Sequence, residues 1–451
     1  MHLGIFREYD IRGIVGDEIL EQDAEAIGRA YGTLLAQQNR KKVSVGRDCR
    51  NTSQAFSKAF IQGILSTGCN VIDIGTCPTP VLYFSIHHLN LDGGAMVTAS
   101  HNPPEYNGFK LMSGLDSIHS QGLQDIRRII EQGKFVQGKG ELEQADLITP
   151  YKAMILDNIN LTQKIRVGID AGNGTGGITA LPVLKALGCE VRDLYCDLDG
   201  SFPNHEADPT QKKNLVDLID LVKKENLDLG VGYDGDADRI GVVDKYGNVI
   251  YGDQLMIIFA REILKRKPGS TFISEVKCSM VMYDEIKKLG GIAVMWRTGH
   301  SLIKKKMKEA GAALAGEMSG HMFFKDRYFG FDDALYATCR LLEIIADTGL
   351  GVDELISDLP TTYTTPEIRV ECPDEIKFDV VAKIVALYKI KQDVIDIDGM
   401  RALYPDGWGL VRASNTQPAL VLRFEALTQS RLEEIKGEIE ADLKIIIEET
   451  H

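Results

Sequence analysis

A serine, a histidine and a lysine lie close together in one polar part of this 451-residue sequence. Ser100 and His101 are neighbours in the segment TASHNP, residues 98–103, and Lys110 follows shortly after it. A serine oxygen that points outward can accept a phosphoryl group when nearby cations and a metal ion absorb the charge. We therefore expect Ser100 to face solvent as a candidate phosphoryl acceptor. The alternative, a serine that merely caps a polar turn, stays open on residue types alone.

An acidic loop follows at residues 234–239, DGDADR, where three carboxylates alternate with small residues. Asp234, Asp236 and Asp238 can point oxygens at a hard cation such as Mg²⁺, which often shares its coordination with a substrate phosphate. An EF-hand begins with similar spacing, but Arg239 and Lys245 stand where that motif requires glycine and glutamate. A solvated acidic turn is the other alternative, although three acids without a cation would repel one another.

Two later loops carry groups suited to a sugar phosphate. In residues 316–321, GEMSGH, Glu317 and Ser319 can share hydrogen bonds with adjacent sugar hydroxyls. Residues 412–418, RASNTQP, place a cation, hydroxyls and an amide in one turn, with Arg423 on the next predicted strand, a combination that suits a phosphate group. A plain surface turn and a capped turn remain the alternatives for these two loops.

A glycine-rich segment offers a different class of function. Residues 172–177, GNGTGG, satisfy the dinucleotide-binding pattern GxGxxG, and Asp193 follows about 20 residues on, as that pattern requires. A tight strand-to-helix turn explains the same glycines. We favour the turn, because an oxidoreductase that binds a nucleotide cofactor leaves the other loops unexplained.

The loops must be positioned by elements that repeat three times along the chain. Each copy contains an apolar strand, a helix, a glycine turn, a second strand, and a third strand that leads into one of the first three loops. The third strands cover residues 94–98, 227–231 and 313–315. This alternation predicts an α/β fold of three similar mixed α/β domains with mainly parallel sheets, whose ligands gather beyond the carboxyl ends of the strands. One composite site at their meeting point is the interpretation we favour over a purely structural array.

The last part of the chain does not repeat this pattern. β-rich stretches flank the RASNTQP loop, and residues 429–449 form an amphipathic helical run, so we expect a smaller α+β domain. The predicted domains are residues 1–150 with the serine loop, 151–252 with the acidic loop, 253–365 with the GEMSGH loop and 366–451 with the RASNTQP loop.

Composition and charge exclude several partners. The net charge of −14 argues against nucleic acid, because binding its backbone needs a basic face. The eight cysteines contain no CxxC pair, which favours reduced, structural thiols. No apolar run reaches the length of about 18 residues that a membrane span needs, and the N-terminus lacks an apolar targeting segment. We expect a cytoplasmic protein that binds no membrane and is a monomer or a weak homo-oligomer.

Taken together, the loops resemble those of the α-D-phosphohexomutase superfamily, in particular its phosphomannomutase/phosphoglucomutase branch. The resemblance begins with residues 9–13, YDIRG, and runs in order through TASHNP, DGDADR, GEMSGH and RASNTQP. It implies four domains around a central cleft, Ser100 as a phosphoserine, and one Mg²⁺ held by the three aspartates and a Ser100 phosphate oxygen. Ala237 departs from the glycine common in this family, and we expect a small residue there to leave the carboxylate geometry intact.

The resemblance also implies roles for other residues. Glu317 and Ser319 would bind the hydroxyls of the sugar ring. The phosphate that is not transferred would be held by Arg412, Ser414, Asn415, Thr416 and Arg423. The cleft would be lined by Tyr9, Arg12, His101, Lys110, Arg239, Lys277, His300 and His321, among which Lys277 and His300 are unranked candidates for proton transfer.

The implied activity is the reversible interconversion of hexose 1-phosphate and hexose 6-phosphate, for mannose and glucose. The phosphoserine would form a hexose 1,6-bisphosphate, which is both intermediate and activator, and a mobile fourth domain would let it turn around. A phosphoglucosamine mutase is an alternative, although Met318 between Glu317 and Ser319 looks more like the mannose and glucose branch. A catalytically silent paralogue that binds phosphosugars is the other, and the intact Ser100 and aspartates argue against it.

Overall fold

The computed structural model describes residues 1–415 and 417–450. It contains three sheets that share a strand order and a fourth sheet of different topology. The expected class, three similar mixed α/β domains and a smaller α+β domain, is confirmed. Thr416 lies outside the described residues.

The first domain contains a seven-stranded sheet in the order β1-β5-β4-β2-β3-β7, with β6 paired to β5. Helices α1 and α2 pack against each other, and α1 also contacts α4. The elements are β1 (Ile11–Ile14), α1 (Glu21–Gln37), β2 (Lys42–Arg47), α2 (Ser53–Leu65), β3 (Asn70–Thr76), α3 (Thr79–His88), β4 (Gly93–Val97), β5 (Tyr106–Ser113), β6 (Asp116–Ser117), α4 (Gln121–Gln132) and β7 (Leu142–Gln144).

The second domain has a five-stranded sheet in the order β12-β11-β10-β8-β9. Its elements are α5 (Ile148–Asn158), β8 (Arg166–Asp170), α6 (Gly176–Ala186), β9 (Glu190–Leu194), α7 (Val216–Glu225), β10 (Leu229–Tyr233), β11 (Ile240–Asp244) and β12 (Val249–Ile250).

The third domain has a four-stranded sheet in the order β14-β13-β15-β16. Its elements are α8 (Gly252–Arg266), β13 (Thr271–Glu275), α9 (Met280–Lys288), β14 (Ile292–Trp296), α10 (His300–Ala310), β15 (Leu314–Gly316), β16 (Met322–Phe324), α11 (Ala334–Thr348) and α12 (Val352–Leu355).

The fourth domain has a six-stranded antiparallel sheet in the order β17-β22-β21-β20-β19, with β18 also paired to β22. Its elements are β17 (Tyr363–Thr364), β18 (Ile368–Glu371), α13 (Lys377–Lys391), β19 (Asp393–Ile395), β20 (Met400–Tyr404), β21 (Gly407–Ala413), β22 (Ala419–Ala426) and α14 (Gln429–Glu448). The predicted amphipathic helix is confirmed, since α14 buries Leu432, Ile435, Ile439, Leu443 and Ile446 at helical spacing.

The repeat predicted from the sequence is visible in the pairing of the strands. In each of the first three domains the three repeated strands pair in parallel, with the first strand in the middle. The third strand then enters a polar loop and returns as an antiparallel neighbour: β5 after β4, β11 after β10, and β16 after β15. Each loop therefore connects a strand pair at the sheet edge where parallel strands end, which is where α/β folds bind ligands.

The elements differ from the predicted boundaries by a few residues. Helix α5, which packs on α6 of the second domain, begins before the predicted limit at residue 150. Strand β17 lies before the limit at residue 365, yet it pairs with β22 of the fourth sheet. Sequence alone places such limits poorly, because only packing shows which core an element joins.

The cores explain how the domains are joined. One buried apolar cluster runs through the first three domains and includes Ile72, Val167 and Phe272. The fourth domain has its own cluster, and a small group around Val276 and Trp408 joins it to the third. In the described part of the chain, no helix combines the length and the apolar content needed to cross a bilayer.

Candidate active site

Ser100 lies in the turn between β4 and β5, in a conformation that few side chains adopt. Its φ of +53° is in the left-handed region, and such strain is typical of functional sites. Its hydroxyl donates to Asp234 Oδ2 at 2.8 Å and lies 3.1 Å from His101 Nδ1. The expectation that Ser100 faces solvent is wrong: it is 1% exposed, because the acidic loop of the second domain covers it. The two backbones touch, since a Cβ on Gly235 would lie 2.4 Å from the Ser100 carbonyl oxygen.

The acidic loop follows β10 and buries all three carboxylates completely. Asp234 Oδ1 accepts from the backbone N–H groups of Asp238 and Arg239, and Asp236 Oδ2 accepts from Thr79 of the first domain at 2.5 Å. Burial, and then the neighbouring aspartates, raise the pKa of Asp234 well above its usual value. Three carboxylates that are fully buried need a positive charge beside them.

The residues present fit a hard cation. Ligand oxygens of Asp234, Asp236 and Asp238 lie within 4.8 Å of one another. Among the described residues, Asp236 Oδ1 and Asp238 Oδ1 are buried and accept no hydrogen bond, so they have ligand capacity to spare. An all-oxygen partial set of this kind matches what Mg²⁺ requires.

Lys110 on β5 supplies positive charge to the same carboxylates. Its Nζ lies 2.6 Å from Asp236 Oδ2 and also contacts Asp238 Oδ2. Burial lowers the pKa of Lys110, but the carboxylates outweigh that effect and raise it above its usual value, so the amine is charged. Burial, followed by Arg239 and Arg12, lowers the pKa of His101 well below its usual value, so its imidazole is neutral beside the Ser100 hydroxyl.

Arg12 and Arg239 lie close to the serine loop and the acidic loop, respectively. Arg12 on β1 donates to Asp10 and to Asn102 Oδ1 of the serine loop, the latter at 2.7 Å. Arg239 Nε donates to His321 Nε2 at 2.9 Å, which joins the second domain to the third. Two guanidinium groups close to a phosphoryl acceptor can neutralise the charge of a transferring phosphate.

The GEMSGH loop between β15 and β16 brings in Glu317, Ser319 and His321. Glu317 is 4% exposed, Ser319 donates to its Oε2 at 3.2 Å, and its Oε1 has no hydrogen-bond partner among the described residues. Burial, with Glu275 nearby, raises the pKa of Glu317. A buried carboxyl with one unused oxygen suits a ligand that supplies hydroxyl groups.

The two candidates for proton transfer differ in charge. Burial lowers the pKa of Lys277, but Glu275 and Glu367 outweigh it and raise the value above normal, so Lys277 can donate a proton and not accept one. Lys277 in turn lowers the pKa of Glu367 to about 2. Burial, and then Lys304, lower the pKa of His300 well below its usual value, so this imidazole is neutral and can accept.

The fourth domain contributes the loop that follows β21. Arg412 donates to Asp398 Oδ2 at 3.0 Å, and among the described residues its Nη2 has no partner. Asn415 Nδ2 donates to the hydroxyl of Tyr9 at 2.7 Å, and Tyr9 donates to the Thr298 carbonyl at 2.7 Å. Tyr9 thereby connects the first, third and fourth domains. Ser414 is buried in the same loop, and the prediction for Thr416 falls outside the described residues.

Sequence models of one family match the chain from end to end. They are described as phosphoglucomutase/phosphomannomutase alpha/beta/alpha domains I, II and III and C-terminal domain, and match residues 4–137, 149–247, 251–363 and 367–441. The chain is 46% identical over 446 residues to the phosphomannomutase/phosphoglucomutase of Pseudomonas aeruginosa, covering 98% of this chain and 96% of that protein. The chain belongs to the phosphoglucomutase/phosphomannomutase family.

Other members of the phosphoglucomutase/phosphomannomutase family are similar over comparable lengths. A phosphoglucomutase of Neisseria meningitidis is 43% identical over 444 residues, covering 97% of this chain and 96% of that one. A crystal structure of a family member from Burkholderia thailandensis has a TM-score of 0.94 at 41% identity, covering 99% of this chain and 98% of that chain. The resemblance stated from the loops is confirmed.

Arg423, a predicted phosphate-binding residue of this family member, contacts the third domain. Arg423 on β22 is 5% exposed, its Nη1 donates to the Lys277 carbonyl, and its guanidinium lies 3.8 Å from Asp253. Arg423 therefore lies at the boundary with the third domain, next to Lys277, and its part in binding phosphate stays a prediction.

Ala237 and the glycine-rich segment both have a backbone explanation. Ala237 has a φ of +57°, a conformation that glycine adopts without steric cost, which accounts for the glycine common in this family. The glycine-rich turn of residues 172–177 supports the acidic loop: Thr175 N donates to the Gly235 carbonyl at 3.0 Å, and a Cβ on Gly174 would lie 2.6 Å from that oxygen. These glycines allow close packing, as the favoured interpretation required.

Sequence reasoning missed Arg50, which shapes the serine loop. Its side chain is fully buried and its guanidinium donates to the carbonyls of Ser100, Asn102, Pro103 and Tyr106, at 2.6 to 3.1 Å. Asp48 balances its charge from 3.1 Å. The sequence feature that could have indicated Arg50 is the polar run RDCR at the carboxyl end of β2. This strand pairs with β4, which leads into the serine loop.

Asp332 was missed as well, because it follows β16 at a distance from any recognised loop. It is fully buried, with Oδ2 3.0 Å from His321 Nδ1 and Oδ1 3.2 Å from Lys304. Burial raises the pKa of Asp332, but Lys304 and His321 outweigh it and lower the value well below normal. Its carboxylate therefore stays charged and orients the His321 ring that meets Arg239.

Proposed function

We propose that this protein catalyses the reversible interconversion of hexose 1-phosphate and hexose 6-phosphate, with glucose and mannose as the sugars. The observation that carries the proposal is the pairing of a buried, strained serine hydroxyl with three buried carboxylates at 2.8 Å from the nearest of them. A hydroxyl in that position can carry a phosphoryl group, and the loop after β21 in the fourth domain offers separate groups for a second phosphate.

Ser100 would act as the carrier of the phosphoryl group. The phosphorylated serine donates to the free hydroxyl of the bound sugar phosphate: a new P–O bond forms to the sugar, and the bond to Ser100 Oγ breaks. The sugar hydroxyl loses its proton to a neutral base, for which His101 and His300 are candidates because burial keeps both imidazoles uncharged, and Ser100 Oγ takes up a proton as it leaves. Lys110, Arg12 and Arg239 offset the charge that spreads over the transferring group.

A single Mg²⁺ would be held by Asp234, Asp236 and Asp238, completed by an oxygen of the serine phosphate. When bound, the ion neutralises charge on the phosphoryl group as it leaves or rejoins the serine. The unpaired oxygens of Asp236 and Asp238 support this assignment.

The hexose 1,6-bisphosphate made in the first transfer must turn end for end before the second phosphate returns to Ser100. The RASNTQP loop would hold the phosphate that is not being transferred in either orientation, through Arg412, Ser414, Asn415 and Thr416. Because that loop belongs to a domain with its own core, movement of the fourth domain can release and recapture the sugar.

The direct test is a coupled mutase assay on glucose 1-phosphate and mannose 1-phosphate, with Mg²⁺ and a trace of the bisphosphate. We expect wild-type turnover, and its loss in Ser100→Ala. That variant should stay folded, since removing one hydrogen bond to a carboxylate changes stability by about 1 to 3 kcal/mol. Intact mass should show an added phosphate, about 80 Da, on wild type treated with bisphosphate.

The matched control is Ser113→Ala, which removes a hydroxyl from the end of β5 in the same domain. Ser113 Oγ bonds to Gln38 at the surface, so this variant should keep full activity. Turnover by Ser100→Ala within tenfold of wild type would rule out the serine carrier. A wild-type protein that binds sugar phosphates and never turns them over would support the silent paralogue instead.

A further inference from the structure

The RASNTQP loop has a second layer behind it, formed by the first turn of α13. The loop closes on itself, because Gln417 N donates to Ser414 Oγ at 3.1 Å and Ser414 N donates to the Ala419 carbonyl at 2.9 Å. The Asn415 side chain of this loop points toward Tyr9. The carbonyl oxygens of Ser414 and Gln417 point the other way, toward Lys377.

Lys377 is the first residue of α13 and is 5% exposed. Its ammonium group has three N–H donors, and three acceptors lie within hydrogen-bond distance. They are Asp374 Oδ1 at 2.6 Å, the Ser414 carbonyl at 2.6 Å and the Gln417 carbonyl at 3.1 Å. The amine therefore binds the loop on both sides of residues 415 and 416.

This arrangement matters for an anion-binding loop. A phosphate is attracted by N–H groups and repelled by carbonyl oxygens, so the carbonyls of such a loop must be turned away from it. Lys377 binds two of these oxygens and adds a positive charge behind the loop. The charge of Asp374 offsets that of Lys377 only in part, since the aspartate side chain is 53% exposed and screened by water.

We propose that Lys377 is a positioning residue for the phosphate that is not transferred, a role that rests on the proposed function of the loop. It does not touch the phosphate. By holding the Ser414 and Gln417 carbonyls, it fixes the loop in the shape that presents Arg412, Ser414 and Asn415 to the ligand. Its loss should therefore weaken phosphosugar binding without impairing the transfer step at Ser100, which lies in another domain.

The experiment compares full-length wild type, Lys377→Met and the control Lys383→Met. Lys383 lies on the same helix, but it is exposed and its Nζ contacts Thr450. Calorimetry measures the Kd for glucose 6-phosphate, and the mutase assay measures KM and kcat. We expect Lys377→Met to raise Kd and KM about tenfold or more, because the loop loses two hydrogen bonds from the charged amine. The value of kcat should change less than about threefold. Lys383→Met should match wild type.

Thermal melting and limited proteolysis show whether the fourth domain is folded. The positioning role is overturned if folded Lys377→Met has a Kd within twofold of wild type. It is also overturned if kcat falls about tenfold while Kd does not change. If Lys377→Met does not fold, Lys377→Gln decides: its neutral amide should raise Kd at least fivefold, and a Kd within twofold overturns the proposal. If wild type binds glucose 6-phosphate but does not turn it over, the proposed mutase activity is refuted, and the Kd comparison still tests Lys377. If wild type does not bind glucose 6-phosphate, both the mutase activity and the role of Lys377 are refuted.

Discussion

At the scale of single residues, the site contains two strained positions in neighbouring loops. Ser100 and Ala237 are non-glycine residues with φ values of +53° and +57°, one in each of the two loops that meet at the candidate metal site. A left-handed conformation costs a residue with a Cβ about 1 to 2 kcal/mol. The surrounding contacts, above all the Ser100 bond to Asp234 and the close approach of Gly235, hold both turns in place.

We predict that Asp236→Asn sharply weakens the dependence of activity on Mg²⁺. The neutral amide keeps the size of the carboxylate and loses the charge that attracts the cation, so the Mg²⁺ concentration for half-maximal rate should rise about tenfold or more. A magnesium titration of the mutase rate measures this. Asp220→Asn, at an exposed position of α7 in the same domain, is the control. Superimposable titration curves for Asp236→Asn and wild type would refute the metal role.

At the scale of elements, one device recurs three times: a parallel strand, a polar loop and an antiparallel return strand. The sheet fixes where each loop begins and ends, and the loop is then braced from outside. Arg50 braces the serine loop through four carbonyls, and the glycine-rich turn braces the acidic loop through Thr175. The elements next to these two loops therefore fix the loop conformations.

We predict that Arg50→Lys lowers kcat about tenfold or more while leaving KM within a few-fold. Lysine keeps the charge that balances Asp48, but it has three donors on a shorter side chain and cannot reach four carbonyls, so Ser100 should shift. Shifts of about 1 Å can cost a hundredfold in rate. Steady-state kinetics on glucose 1-phosphate provide the measurement.

The control for this prediction is Arg47→Lys at the end of β2. Arg47 is partly exposed and pairs with Asp73 at 3.2 Å, so it carries the same charge three residues before Arg50 and pairs with a residue outside the serine loop. Equal kinetics for Arg50→Lys and Arg47→Lys would show that the serine loop holds its shape without Arg50.

At the scale of the whole molecule, the candidate site is shared among the four domains. Although the chain carries a net charge of −14, buried cations such as Lys110 and Arg412 lie beside the carboxylates of Asp236 and Asp398. In the proposed reaction each domain would supply one kind of group: a carrier hydroxyl, metal ligands, sugar-binding groups or a phosphate-binding loop. No single domain could perform the proposed reaction, and the first three are joined by one apolar core.

We predict that glucose 1-phosphate and mannose 1-phosphate are used with similar efficiency. The two sugars differ only at C2, and Glu317 and Ser319 are proposed to bind hydroxyls elsewhere on the ring. Large discrimination requires a buried polar group that the wrong epimer leaves unpaired. We expect kcat/KM values within about 2 kcal/mol, or some thirtyfold, at saturating Mg²⁺. A preference above about a thousandfold, or faster turnover of glucosamine phosphate, would contradict the dual specificity.

Much of this site could be read from short stretches of sequence. The serine loop, the acidic loop and GEMSGH each pack their reactive groups into six residues after a predicted strand. Parallel strands of a repeated α/β unit end at one edge of a sheet, so the pattern of strands was enough to predict that the loops gather. The fourth domain was predicted for the opposite reason, since its β-rich stretches and terminal amphipathic helix break the repeat.

Only the tertiary structure shows the groups that act across long distances in the chain. Arg50 reaches a serine loop 50 residues away, and Asp332 and Lys377 serve loops to which no local pattern connects them. The burial of Ser100 and the contacts of Arg423 likewise come from domains packing on one another. Local sequence encodes which groups a loop carries, whereas exposure and support depend on contacts between distant segments, which exist only once the chain has folded.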